Sequence, residues 1–189
     1  MAHVCSWRFV RTFDNFFRLW FHDPEKLFGD YVKSGMTVLD IGCGAGFASI
    51  GLAKLVGAQG TVVSADLQPE MLEIVKNRAE KQGVAERIKF HQCAADAIGV
   101  DKKFDFINAF WMVHEVPDTQ HFLNEVRSYL HPAAKFFVAE PKFHVSDKKF
   151  DEMLVIAGQV GLEEHARPKI RFSKAVVLEL CVNNNKESI

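Results

Sequence analysis

From Met36 onward the chain alternates between two hydrophobic periods. Short β-branched or aromatic runs recur at residues 37–41, 61–65, 88–92, 104–107 and 135–139. Between them, apolar residues fall three and four apart, the spacing of a helix with one buried face. The clearest such stretch begins at Pro69, carries Met71, Leu72, Val75 and Ala79 on one face, and stops at Gly83. Another starts after Asp118, a natural N-cap, and is expected to bury Phe122, Leu123, Val126, Tyr129 and Leu130. Strands that alternate with helices need crossover connections. Crossovers build a parallel, doubly wound sheet covered by helices on both faces, an α/β fold.

The pattern changes towards the end of the chain. A helix is expected over 147–159, with Gly161 as its stop, followed by extended runs at 162–172 and 175–181. The link between those runs is too short for a crossover helix, so they should pair antiparallel. At the other end, residues 7–21 fit a helix with Phe9, Phe13, Phe16, Phe17 and Trp20 on one stripe and Arg8, Arg11, Asn15 and Arg18 largely opposite. Such a stripe suits packing on the sheet, a lid over a cleft, or an interfacial membrane helix. The chain therefore divides into an aromatic segment (1–22), one α/β domain (23–182) and a polar tail (183–189) expected to fray.

Composition narrows the function classes. The 189 residues are 48% hydrophobic with a formal net charge of −1, which excludes wholesale disorder and a nucleic-acid surface built on bulk positive charge. Cys5, Cys43, Cys93 and Cys181 lie far apart without metal-site spacing, which suits a reducing compartment. No run approaches the roughly 20 apolar residues of a membrane span. Arg8, Arg11, Asp14 and Arg18 interrupt any signal-peptide core, so a cytoplasmic protein is expected. Phenylalanine is in excess, at 17 residues.

The most informative segment is Val38-Leu39-Asp40-Ile41-Gly42-Cys43-Gly44-Ala45-Gly46-Phe47. An apolar strand ends in three alternate glycines before a helix, the pattern of a loop whose backbone turns tightly and approaches a ligand. The third glycine is at 46 and position 47 is Phe, a spacing wrong for the usual dinucleotide pyrophosphate turn. Asp40 would also repel a pyrophosphate but suits a ligand carrying a cationic amino group.

The run Leu39 to Gly46 resembles motif I of the class I S-adenosylmethionine-dependent methyltransferases. Later segments fall in that family's order: the strand ending at Asp66, the loop Cys93-Ala94-Ala95-Asp96-Ala97, and the strand reaching Asn108. The resemblance implies a seven-stranded, mainly parallel, Rossmann-like sheet with an antiparallel last strand. It also implies S-adenosylmethionine as cofactor, with Asp66 gripping the ribose hydroxyls and Asp96 near the adenine. The expected contact set is Asp40, Gly42, Cys43, Gly44, Gly46, Asp66, Leu67, Ala95, Asp96 and Asn108.

Acceptor chemistry should follow the fourth strand. Asn108 is followed by Ala109-Phe110-Trp111 rather than by two prolines, which disfavours methylation of nucleobase amines. The pattern Phe110, His114, Val116-Pro117-Asp118 resembles small-molecule enzymes, the quinone-biosynthesis and arsenite methyltransferases among them. A small, partly apolar acceptor is expected, with no nucleic-acid partner and no metal. His114 is the first candidate for a general base, with Glu140 and His144 behind it. The competing readings are an NAD(P)-dependent oxidoreductase and a module that binds the cofactor without catalysis.

Overall fold

In the computed structural model, residues 22–181 are described; the aromatic helix expected at 7–21 and the tail at 183–189 lie outside them. The strands are β1 (Thr37–Ile41), β2 (Thr61–Asp66), β3 (Ile88–Gln92), β4 (Phe104–Phe110), β5 (Leu130–Pro141), β6 (Leu162–Ala166) and β7 (Ser173–Leu180). The helices are α1 (Pro24–Phe28), α2 (Phe47–Val56), α3 (Pro69–Lys81), α4 (Thr119–Ser128) and α5 (Asp147–Gln159). The strands form one sheet in the order β3-β2-β1-β4-β5-β7-β6. β7 runs antiparallel between β5 and β6, and the pairings from β3 to β5 are parallel. This is the doubly wound, mainly parallel sheet expected.

The central strands are buried on both faces, and alternate residues face opposite layers. Leu39, Val63, Ile107, Phe136 and Leu178 pack towards Phe122, Leu123 and Val126 of α4 and Phe150 and Met153 of α5. Their neighbours Val38, Val62, Phe106, Phe137 and Val177 pack on the other face, towards Phe28 of α1 and Leu52 and Val56 of α2. Phe28 sits edge-on to Phe106 and Phe137, at centroid separations of 5.9 and 5.2 Å. Much of the phenylalanine excess is thus core packing: Phe28, Phe104, Phe106, Phe136 and Phe137 are fully buried.

Helix starts follow local chemistry. The Asp118 side chain accepts from the His121 N–H at the start of α4, and Ser146 does the same for Lys149 at α5. Two boundaries differ from the pattern reading. α4 ends at Ser128, so Leu130 belongs to β5, where it pairs with Phe104, and Tyr129 is only half-buried. β6 stops at Ala166 rather than running to Phe172, because Pro168 cannot donate to a ladder. The chain then turns through Phe172, at φ +61°, into β7.

Candidate functional site

The carboxyl ends of β1, β2 and β4 meet around the glycine loop. The register aligns Asp40 with Ser64 on one side and Asn108 on the other. The Cys43 N–H donates to the Ala65 carbonyl at 3.0 Å, and the Gly46 N–H returns to the Cys43 carbonyl at 2.9 Å, so the loop is pinned to β2 and closed on itself. A side chain at Gly42 would collide with Met112, 2.9 Å from where its Cβ would lie. Gly46 stands at φ +85° directly before α2, and a Cβ there would press on Val75 at 3.0 Å. Gly44, at φ +51°, has nothing within 4 Å of that position, so the bare backbone faces open space. Arg78 on α3 braces the loop by donating to the Ala45 carbonyl at 2.5 Å.

Asp40 turns inward. It is 1% exposed, accepting from Ser49 Oγ at 2.5 Å and from Asn108 Nδ2 at 2.7 Å, and Ser64 Oγ donates on to Ser49 at 2.8 Å. Asn108 is wholly buried. Both residues belong to the contact set expected from the sequence; in the structure their side chains form a polar floor beneath the loop, tying β1, β2, β4 and α2 together. Both faces of β1 are covered, so a carboxylate there needs fixed donors, and the hydroxyl and amide supply them.

Asp66 ends β2 beside the loop. One carboxylate oxygen accepts from the Gly44 N–H and the other from the Gln68 N–H, each at 2.9 Å. Burial raises its pKa, and the N–H groups of Gln68, Gly44 and Leu67 pull against that rise. With three N–H donors on its two oxygens, the carboxylate keeps accepting capacity for a further donor. Leu67 follows half-buried, and Ala95 and Asp96 are exposed on the loop after β3. Glu125 on α4 anchors that loop by accepting from Ile98 and Gly99, each at 2.9 Å. Burial works to raise the Glu125 pKa, but these two N–H groups and the Tyr129 hydroxyl outweigh it and hold it low.

Burial favours the protonated thiol at Cys43 and Cys93. Burial, with help from Asp40 and Asp66, pushes Cys43 well above its usual value, and burial takes Cys93 up to about 12. Among the described residues, no group of three or more His, Cys, Asp or Glu is placed to hold a metal.

The second cluster lies where β4 and β5 end. Glu140 is 2% exposed; its Oε1 accepts from the Val113 N–H at 2.9 Å, and its Oε2 lies 2.5 Å from His114 Nδ1. The His114 side chain is 25% exposed and stacks on His144 at a centroid separation of 5.7 Å. Burial works to lower the His114 pKa, but the hydrogen bond and charge of Glu140, with Glu115, outweigh it and hold the value above the usual 6.5. A chain of ring contacts runs from Phe110 to Trp111, Phe143 and His144. Trp111 sits at φ +62°, a costly conformation for a bulky residue, and its indole N–H donates to Ser173 Oγ at 2.8 Å.

Pattern reading named His114, Glu140 and His144 separately, and the fold brings them together. It had no signal for Ser49, Ser64, Arg78 or Glu125, whose partners lie far along the chain or on another element.

A family model described as a methyltransferase domain matches residues 32–176. The ubiquinone/menaquinone biosynthesis C-methyltransferase UbiE of Hahella chejuensis is 32% identical over 124 residues, covering 64% of this chain and 50% of the relative. A demethylmenaquinone methyltransferase of Bacillus cereus is 32% identical over 109 residues, covering 58% of this chain and 46% of the relative. The chain thus spans about half the length of the curated relatives it matches. Among solved structures, a SAM dependent methyltransferase from Aquifex aeolicus is 27% identical, with a TM-score of 0.81 over 93% of this chain and 98% of that one.

Proposed function

Because the chain belongs to the methyltransferase-domain family, we propose that it moves a methyl group from S-adenosylmethionine to a small, partly apolar acceptor of quinol-like character. The observation that carries the reading is the juxtaposition of two clusters. A glycine loop with an open face has an acid beside it, and Met112, two positions before the ring-lined His114 in sequence, approaches Gly42 of that loop.

The residues suit this cofactor. Asp66 offers lone pairs to a vicinal diol, and Gly44 gives bare backbone where a side chain would obstruct. Leu67, Ala95 and Asp96 would border the nucleoside, Gly42, Cys43 and Gly46 would shape the loop around it, and Asp40 and Asn108 brace that loop from below. When bound, the cofactor supplies a methyl carbon on a positively charged sulfur, which the acceptor's electron pair takes while the sulfur keeps the pair of the broken bond. The protein aligns the acceptor and excludes water. His114 receives the proton that a hydroxyl or carbon acid gives up, at Nε2, the ring nitrogen turned away from Glu140.

The ring contacts from Phe110 to His144 favour an apolar, planar acceptor. The quinone-biosynthesis names of the relatives point the same way. A net charge of −1 fits a small acceptor better than nucleic acid, and the reducing-compartment cysteines fit the cytoplasm. Among the described residues, no helix is long and apolar enough to cross a membrane.

The test is calorimetry with S-adenosylmethionine, followed by transfer of labelled methyl to a panel of hydroquinones and phenols. Binding with transfer to an apolar hydroquinone supports the reading. Binding without transfer to any acceptor favours a non-catalytic module, and absence of binding overturns both.

A further inference from the structure

The geometry points to Glu140 as the positioning residue of the transfer: its carboxylate fixes the tautomer of His114, so that Nε2 is the basic nitrogen presented to the acceptor. The inference rests on the methyl-transfer reading and extends it to a residue that never touches the acceptor.

A carboxylate can only accept, so His114 Nδ1, at 2.5 Å from Glu140 Oε2, must carry the proton. The lone pair of the neutral ring is then on Nε2. Glu140 is itself held rigidly. It lies on β5, paired across the ladder with Lys174 of β7, and its other oxygen accepts from the Val113 N–H. That second bond fixes the short turn Val113–Glu115 from which His114 projects. One buried side chain therefore sets both the position of the ring and the end of the ring that reacts.

The groups facing His114 come from three elements. Glu115 neighbours it on its own turn, with Oε1 4.0 Å from Nε2; Glu140 and stacked His144 come from β5 and the turn after it; and Lys149 acts from α5. Glu140 opposes Lys149 and is the one in hydrogen-bond contact, which accounts for a proton affinity above that of free histidine. The ring must lose that proton before it can act as a base. The acceptor's proton then moves to Nε2 as the new bond to the methyl carbon forms.

Glu140→Gln is the discriminating variant. Glutamine keeps an oxygen for the Val113 N–H but presents an NH2 to Nδ1, which forces the opposite tautomer. Histidine 15N NMR reads the tautomer and titration midpoint directly, with or without turnover. The wild type should show Nδ1 protonated in the neutral ring. In Glu140→Gln the proton should move to Nε2, the midpoint should fall, and kcat should drop about 100-fold with the KM for S-adenosylmethionine within about twofold. Glu140→Asp, which keeps a carboxylate, should retain the wild-type tautomer and recover part of kcat; it also serves if the glutamine variant folds poorly. An unchanged tautomer in Glu140→Gln, or a flipped tautomer with kcat intact, overturns the inference. If the wild type binds no S-adenosylmethionine by calorimetry, the transfer reading has failed instead, and the NMR result separates the two failures.

Discussion

Asp40 and Glu140 are both carboxylates with 1–2% exposure, near the carboxyl ends of strands in the middle of one sheet, yet their surroundings give them opposite tasks. Asp40 spends its oxygens on Ser49 and Asn108, groups that do not titrate near neutral pH, and so ties three strands and a helix together beneath the loop. Glu140 spends one oxygen on backbone and the other on an imidazole that reaches solvent. A buried acid bonded to a hydroxyl and an amide braces the scaffold. One bonded to a half-exposed histidine transmits its charge to a surface where chemistry can occur.

Substitutions can break this contrast. The largest effect is expected from Asp40→Ala, which strands two buried donors and should cost about 3 kcal/mol of stability in urea denaturation. His114→Ala should instead leave the urea midpoint nearly unchanged and lower kcat about 100-fold, equivalent to about 2.7 kcal/mol of transition-state stabilisation. A comparable stability loss in both variants would erase the distinction. Asp66→Ala sharpens it further. This acid borders the open face of the loop, so S-adenosylmethionine affinity measured by calorimetry should weaken about tenfold, near 1.4 kcal/mol, with a smaller loss of folding stability than in Asp40→Ala. Gly46→Ala should cost about 1 kcal/mol in the same denaturation assay, because alanine resists φ +85° and presses on Val75.

The smallest effect is on pH dependence. The folded protein binds the His114 proton more tightly than the unfolded chain does. The stabilisation is therefore complete below the unfolded value near 6.5 and is lost as pH rises through the higher folded value. Denaturation at about pH 6 and about pH 8 should show this loss in the wild type and in Asp40→Ala, and not in Glu140→Gln. A loss that persists in Glu140→Gln would assign it to another group.

Local pattern carried the strand and helix alternation, because 2-residue and 3.6-residue periods are visible without any partner. The glycine loop was legible for the same reason: three alternate glycines after an apolar strand need no distant contact to be recognised. The Glu140–His114 pair was not legible, since the residues lie 26 apart and meet only through the register of β4 and β5. Asp40 was legible as an acid but not in its orientation. β1 is covered on both faces, so alternation does not tell a carboxylate that meets a ligand from one that braces a loop. Of the phenylalanine excess, Phe28, Phe104, Phe106, Phe136 and Phe137 are core among the described residues, and composition alone does not assign a ring to core or pocket.

The placement of β7 bears on the order of assembly. β5 is sealed on one side by β4 but on the other only by β7, the last of the seven strands to be synthesised. During translation the glycine loop and its parallel neighbours can form while β5 still presents Phe136, Phe137 and Val138 on an open edge. Until β7 docks, that edge is the segment of the sheet most exposed to pairing with another chain. The strand that holds Glu140 is thus among the last to be completed, and refolding yield should depend on how quickly β7 finds it.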